Sequence, residues 1–244
     1  MRNIFGLILI TVVTVSCNPS EQSTEKLIQN VIEYHGGDAY DSLNLQFKFR
    51  GKLYGLQHLG GKFQYERIFQ DSSGRKITDV LDNNGFKRLI NGKRVGLSAT
   101  DSAAYANSVN SVHYFALLPY NLQDEAVQAH NKDDVLINGR PYKSIEVKFQ
   151  QEGGGADYED VFMFWFNANT YEMDYFAYSY HTEGGGIRFR ESINRETVEG
   201  VIFQDYNNFK AEKGTDLSNL PSMFESKELE LLSKIDLEFV SKGL

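Results

Sequence analysis

Two periods of apolar residues divide this chain. Over Thr24 to His35, Leu27, Ile28, Val31, Ile32 and His35 recur at helical spacing, with Ser23 or Thr24 placed to cap the start and Gly36-Gly37 to stop it. From Leu45 the period becomes two. Leu45, Phe47 and Phe49 alternate with Gln46, Lys48 and Arg50, and Phe63, Tyr65 and Phe69 follow in kind. Turn signals at Ser72-Ser73-Gly74, Asn83-Asn84-Gly85 and Asn91-Gly92 then cut the chain into short segments, the signature of antiparallel hairpins. Ser98 to Leu118 is rich in alanine and ends at Pro119, which predicts a second helix running into a loop through Asn121 to Lys132. Strands are predicted again at 135–138, 142–150, 158–167, 172–182, 187–194 and 198–209, followed by a short helix over 220–227 and a last strand over 231–239.

The pattern predicts a mainly β (α+β) domain: a single curved antiparallel sheet of about ten or eleven strands lidded by two or three helices. Regular strand-helix alternation, which would indicate a parallel sheet, is absent. Val161 to Phe166 and Met173 to Tyr180 are apolar or aromatic on both faces, so something must cover both sides of them.

The first residues follow a different logic. One positive charge at Arg2 precedes the apolar run Ile4 to Val13, too short for the roughly 20 residues of a transmembrane helix, and Ser16 sits before Cys17, the only cysteine. The segment resembles a lipobox. It predicts a signal peptide over 1–16, removed on export, a lipidated tether over 17–23 and a single domain over 24–244, anchored by acyl chains on Cys17 that contribute about 0.8 kcal/mol per buried methylene. Lipidation would occupy the one thiol in an oxidising compartment, and it leaves no disulfide or cysteine-ligated metal for the mature chain. The location expected is the cell envelope, at the outer membrane of a gram-negative bacterium, with the membrane as partner through that lipid.

Composition narrows the partners further. Aromatic residues make up 13% and hydrophobic residues 41%, enough for a core, while 33 Asp and Glu against 25 Lys and Arg, with no basic block, speak against nucleic acid. No G-x-S-x-G elbow, HExxH-type metal pair, phosphate loop or dinucleotide fingerprint occurs, so nothing supports an enzyme and no cofactor or metal is expected.

The order of elements carries a resemblance. An exported N-terminus, a helix ending in Gly36-Gly37 and a long strand near Leu45 look like the LolA/LolB-like lipoprotein-sorting group, which implies a half-open β-barrel with a hydrophobic cavity on its concave face. Asn110 to Phe115, Gln151 to Gly155 and Tyr178 to Gly186 resemble a Bacteroidota-type lipoprotein family of unknown function. The implied ligand is a lipid or other hydrophobic small molecule.

Two sets of residues are candidates for chemistry. Glu-Gly-Gly-Gly occurs at 152–155 and 183–186, flanking one hairpin, so both loops are expected at one rim of the sheet. Glu152, Asp157, Tyr158, His181, Glu183 and Arg188 would converge there, with the amides of Gly153, Gly154, Gly155, Gly184, Gly185 and Gly186 able to cradle an anion. That rim is the candidate for a metal or catalytic site around His181; the alternative is plain turn geometry with charged decoration. Phe162, Phe164, Phe176, Tyr178 and Tyr180, with His113 and Phe115 from the second helix, are the candidate pocket lining, or else ordinary core. A surface module for protein partners is a third reading of the whole chain.

Overall fold

The computed structural model describes residues 19–152 and 158–240, with side chains described from Ser23 onward and not at Glu183. Cys17 and the segment 1–16 expected to be a signal peptide lie outside the described residues.

The chain opens with α1 (Pro19–His35). This helix begins within the stretch expected to be a polar tether. Proline suits the first helical position, where its missing N–H would have no partner anyway. Five strands and a two-residue sixth follow as a meander: β1 (Asn44–Phe49), β2 (Lys52–Leu59), β3 (Lys62–Gln70), β4 (Lys76–Asp82), β5 (Gly85–Ile90) and β6 (Lys93–Arg94). Then α2 (Ala99–Ala116) crosses the sheet, its start capped by Ser98, whose Oγ accepts the Asp101 N–H at 3.0 Å while donating to Asp101 Oδ2 at 2.8 Å. A second meander contains β7 (Val127–Ile137), β8 (Arg140–Phe149), β9 (Val161–Asn167), β10 (Met173–Tyr180), β11 (Gly186–Val198) and β12 (Val201–Ala211). After α3 (Leu220–Glu225) come β13 (Glu230–Ile235) and β14 (Glu238–Val240).

The mainly β, antiparallel architecture that is not closed into a barrel agrees with expectation. The strand count and the pairing are corrected: among the described residues fourteen strands form two seven-stranded sheets, ordered β14-β1-β2-β3-β4-β5-β6 and β13-β12-β11-β10-β9-β8-β7. The sheets meet in the segment 230–240. Its first half pairs with β12 and its second half with β1, with the Leu237 N–H donating to Asp205 Oδ1 at 2.9 Å between them. The expected single sheet is therefore broken at Asp236-Leu237.

Two boundaries also moved. The expected loop through 121–132 contains the first half of β7, an edge strand whose short alternation of Val127 and Ala129 with Gln128 and His130 gives way to exposed polar residues. Asn194, taken as a strand end, is a bulge inside β11 with φ +46°; the real turn is Glu199-Gly200, where Glu199 Oε2 also accepts the Asn44 N–H at 2.9 Å.

The main core lies on the inner faces of both sheets. Phe47, Tyr54 and Leu56 from the first sheet meet Phe164, Phe166 and Phe176 from the second, with Val31 of α1 and Val109 of α2 packed among them. Behind the second sheet, the segment around α3 covers a separate cluster of Met163, Trp165, Tyr175 and Phe189 with Leu217 and Leu220. β9 and β10 are thus covered on both faces, as their apolar composition requires.

Candidate functional site

Cross-strand register builds the inner wall of the second sheet. Phe164 faces Phe176, Phe176 faces Arg190, Arg190 faces Asn208 and Asn208 faces Ser233, so one row of side chains runs from the aromatic core to polar groups on β13. One step along, Phe162, Tyr178 and Arg188 form the next row. The same strand that points Ile187 and Phe189 into the cluster behind the sheet points Arg188 and Arg190 inward.

The helix α2 lies over this wall and leaves space on each side. Between α2 and β10–β13 is a cavity of about 560 Å³, with Val112 and Phe115 from the helix, Tyr178, Arg188 and Arg190 from the sheet, and Leu232, Ile235 and Leu237 along its far edge. Leu232 is 40% exposed and forms an apolar lip. On the other side of α2 a cavity of about 480 Å³ is bordered by His58, Tyr65, Tyr114 and Tyr120. His58 there is held by its own neighbours, Nδ1 against the Tyr40 carbonyl at 2.8 Å and Nε2 against the Tyr65 hydroxyl at 3.0 Å. The Tyr120 hydroxyl donates to Asp41 Oδ1 at 2.7 Å; burial first, and this carboxylate next, push its pKa up to about 12. A third depression, about 1050 Å³, runs between α1 and β7 and is edged by Glu25, Glu33, Asp38, Asp41, Asp124 and Glu125. Ile28, Ile32, Leu122 and Val127 lie among these acids, so its border is mixed and its charge negative.

Arg190 is a buried cation on the border of the 560 Å³ cavity. It is 7% exposed, and its guanidinium lies 4.3 Å from the centre of the Phe115 ring and 5.2 and 5.4 Å from those of Phe176 and Tyr178. Nη2 donates to the Tyr178 hydroxyl at 3.0 Å, and Nε is buried without a partner. Next to it, Asn208 donates to Ser233 Oγ at 3.3 Å while its Oδ1 is likewise buried and unpartnered.

Of the candidate pocket residues, Phe115 and Tyr178 border this cavity. Phe162, Phe164 and Phe176 lie beneath its wall, at most 5% exposed, and belong to the core. His113 is fully buried: its ring stacks on Tyr65 at 4.3 Å, and Nδ1 and Nε2 lie 2.9 and 2.8 Å from the carbonyl oxygens of Val109 and Gly55. The desolvation of that position drives its pKa down to about 4, so it is a neutral core histidine at neutral pH. Tyr180 is half-buried and accepts from Arg188 Nη2 at 2.6 Å.

The glycine rim is only partly within the described residues: Gly153, Gly154, Gly155 and Asp157 lie outside them, as does the side chain of Glu183. Glu152 is exposed and Tyr158 half-buried. His181 is on the surface, with Nδ1 3.6 Å from Oδ1 of Asp160, a carboxylate that the spacing argument overlooked. Arg188 pairs with Tyr178 and borders the cavity under α2, because Gly186 pairs with Tyr180 and so sets the register. Gly184, Gly185 and Gly186 have a geometric reason to be there: Gly185 adopts φ +73°, and a Cβ on it would approach the Tyr180 carbonyl oxygen to 2.8 Å. The Gly184 carbonyl accepts from Lys213 Nζ at 3.0 Å. Among the described residues no three His, Cys, Asp or Glu side chains gather as a metal site.

Sequence reasoning missed Arg190, Asn208 and Arg50. The alternation Ile187-Arg188-Phe189-Arg190 reads as an apolar face and a solvated one. The overlooked signal was that the arginines share their face with Phe176 and Tyr178.

Comparison with known proteins gives a family and distant shapes. A model of a family of unknown function, DUF6503, matches residues 2–237. No match is found among curated proteins. Among solved structures, a LolA superfamily protein from Nitrosomonas europaea is 8% identical, with 88% of this chain and 91% of that one covered and a TM-score of 0.48. An outer membrane lipoprotein-sorting protein domain from Vibrio parahaemolyticus is 10% identical, with 82% and 98% covered and a TM-score of 0.40. A DUF1329 family protein from Desulfovibrio piger is 8% identical, with 91% and 94% covered and a TM-score of 0.36.

Proposed function

The chain belongs to the DUF6503 family, and from that starting point we propose that it is an envelope lipoprotein that holds a hydrophobic or amphiphilic ligand between α2 and the β10–β13 wall. The observation that carries this reading is the 560 Å³ cavity itself, within the roughly 300–1,000 Å³ range of small-molecule sites and bordered by aromatic and aliphatic side chains with a few convergent polar groups. Anchoring through Cys17 would keep such a binder at the membrane surface, where its ligands are concentrated. No helix among the described residues is long and apolar enough to span a membrane, so in this reading the acyl chains on Cys17 are the attachment.

The test is to purify the lipidated protein gently from a gram-negative envelope, record its native mass, and identify what is released on denaturation. A stoichiometric lipid or other apolar molecule, lost when Phe115 and Tyr178 are replaced by glutamate in a still-folded protein, is the expected result. A bare chain whose only added mass is its own N-terminal lipid would count against the binder. A mature protein with an unmodified Cys17 would remove the anchor from the reading.

A further inference from the structure

The polar side of this cavity has a definite sign. Its border includes three arginines, Arg50, Arg188 and Arg190, and no Asp or Glu, in a chain where acids outnumber Lys and Arg by 33 to 25. Among the described residues none of the three makes an ion pair. Arg50 lies over the Phe49 ring at 5.1 Å, Arg188 donates to the Ile187 carbonyl at 2.9 Å and to the Tyr180 hydroxyl, and Arg190 donates to the Tyr178 hydroxyl alone.

Arg190 is the informative one. A guanidinium offers five N–H donors, and a buried cation is ordinarily matched by a carboxylate because desolvating it alone is costly. The aromatic rings around it offset part of that cost through their π faces. The ring faces satisfy none of its in-plane N–H groups: Nη2 has the Tyr178 hydroxyl, and Nε is buried without an acceptor. An oxyanion in the cavity would meet the terminal Nη groups of the guanidinium, the end that arginine offers to carboxylates and phosphates, within reach of Asn208. The remainder of the same space, along Val112, Phe115, Leu232, Ile235 and Leu237, is apolar and opens at the Leu232 lip.

We propose that the ligand is an anionic amphiphile, an acyl or alkyl chain bearing a carboxylate or phosphate head, with the head on Arg190 and the chain along α2 and β13. The inference deepens the binder reading above and depends on it.

The full chain, reconstituted in nanodiscs of neutral phosphatidylcholine, is exposed to three photoreactive fourteen-carbon probes that share one chain and differ in head: the carboxylic acid, the alkyl phosphate and the alcohol. Crosslinks are mapped by peptide. We expect the acid or the phosphate to label the 111–116 and 231–237 segments about tenfold or more above the alcohol, the discrimination that one charge-assisted hydrogen-bonded pair supplies. The stronger of the two names the head. Arg190→Met, which keeps much of the stem, should lower labelling by the anionic probe to the level of the alcohol without changing the alcohol; Arg190→Lys should restore part of it. Arg188→Met supplies a second variant if Arg190→Met fails to fold. Equal labelling by all three probes in the unmodified protein overturns the head-group assignment and leaves the cavity reading standing. Labelling of neither segment by any probe overturns the cavity reading itself.

Discussion

Arg67 donates through both Nε and Nη2 to one oxygen of Asp79, at 3.0 and 2.6 Å, on a carboxylate with no exposed surface. Arg88 grips the same carboxylate from the next strand, Nε to Oδ1 at 2.6 Å and Nη2 to Oδ2 at 2.9 Å. Both arginines also reach α2: Arg67 Nη1 donates to Ser108 Oγ at 2.6 Å, and Arg88 lies 3.5 Å from the centre of the Tyr105 ring. Asp79 therefore ties the helix that lies over both cavities to the first sheet.

Asp79→Asn should cost about 3–5 kcal/mol, because the buried Arg67 and the half-buried Arg88 would lose the anion they share. Lys48→Ala, which breaks an ion pair whose partners are 50% and 69% exposed, should change stability by less than about 1 kcal/mol. Urea denaturation of both variants beside the unmodified protein measures the contrast, and equal small shifts would show that the triad does not hold the helix.

Acid should weaken the fold from near pH 6.5 downward. Burial first, aided for His35 by the nearby Arg195, pulls the pKa values of His35 and His113 down to about 4. Between the ordinary histidine value of about 6.5 and 4, the unfolded chain binds protons that the folded one refuses, so stability falls across that window and levels off below it. The loss is roughly 2 kcal/mol for each histidine by pH 5. Asp124 has the opposite sign. Burial raises it to about 6, so its contribution is complete below the ordinary carboxylate range and lost as pH rises through 6. Its residue still meets solvent, so its share is smaller. Thermal midpoints at pH 7.5 and 5.0 should separate the effects: His113→Gln should flatten the difference and Asp124→Asn should widen it.

Gly36, where α1 stops, has φ +151°, and a Cβ there would come within 2.9 Å of Val201 Cγ2 and 3.1 Å of Val201 Cα. The second contact is to backbone and cannot be relieved by a rotamer change. Gly36→Ala should cost about 2 kcal/mol or more, against about 1 kcal/mol for Gly74→Ala, where φ is +76° and the space is open. Denaturant midpoints of the pair would expose an error if Gly74→Ala proved the worse.

Trp165, the only tryptophan, is 1% exposed and packs at 5.7 Å from Phe189 on the side of the sheet away from the cavity. Leu220→Ala, in the covering segment, should cost about 2–5 kcal/mol by opening space in that cluster. Its unfolding can be followed by the tryptophan emission, while crosslinking of an amphiphile in the opposite cavity should be unchanged in the folded variant. Loss of that crosslinking would mean that the two faces are coupled.

What the sequence made legible was what had a period. Leu27, Ile28, Val31 and Ile32 announced α1, and the two-sided apolar runs in β9 and β10 announced that both of their faces are covered. The first half of β7 had only a weak signal, since Val127 and Ala129 alone turn inward and Gln128, His130, Lys132 and Asp133 lie on an exposed edge paired with β8. Tertiary pairing decided the rest. Phe164 and Tyr178 are equally aromatic in sequence, but only the second reaches the cavity, because Phe176 and Phe166 flank the first in the core. Arg190 looked solvated until the register set it between Phe176 and Asn208.

The segment 230–240 has a consequence in time as well as in space. Gln46 pairs with Val240, so the first strand waits for almost the last described residue. Until that segment arrives, β1 and β12 each present an unpaired edge, and closing so long a loop costs entropy before any contact repays it. Docking of 230–240 should therefore be a late and slow step in folding. A molecule that lacked it would carry two open strand edges ready to pair with a neighbouring chain, so its first symptom would be aggregation.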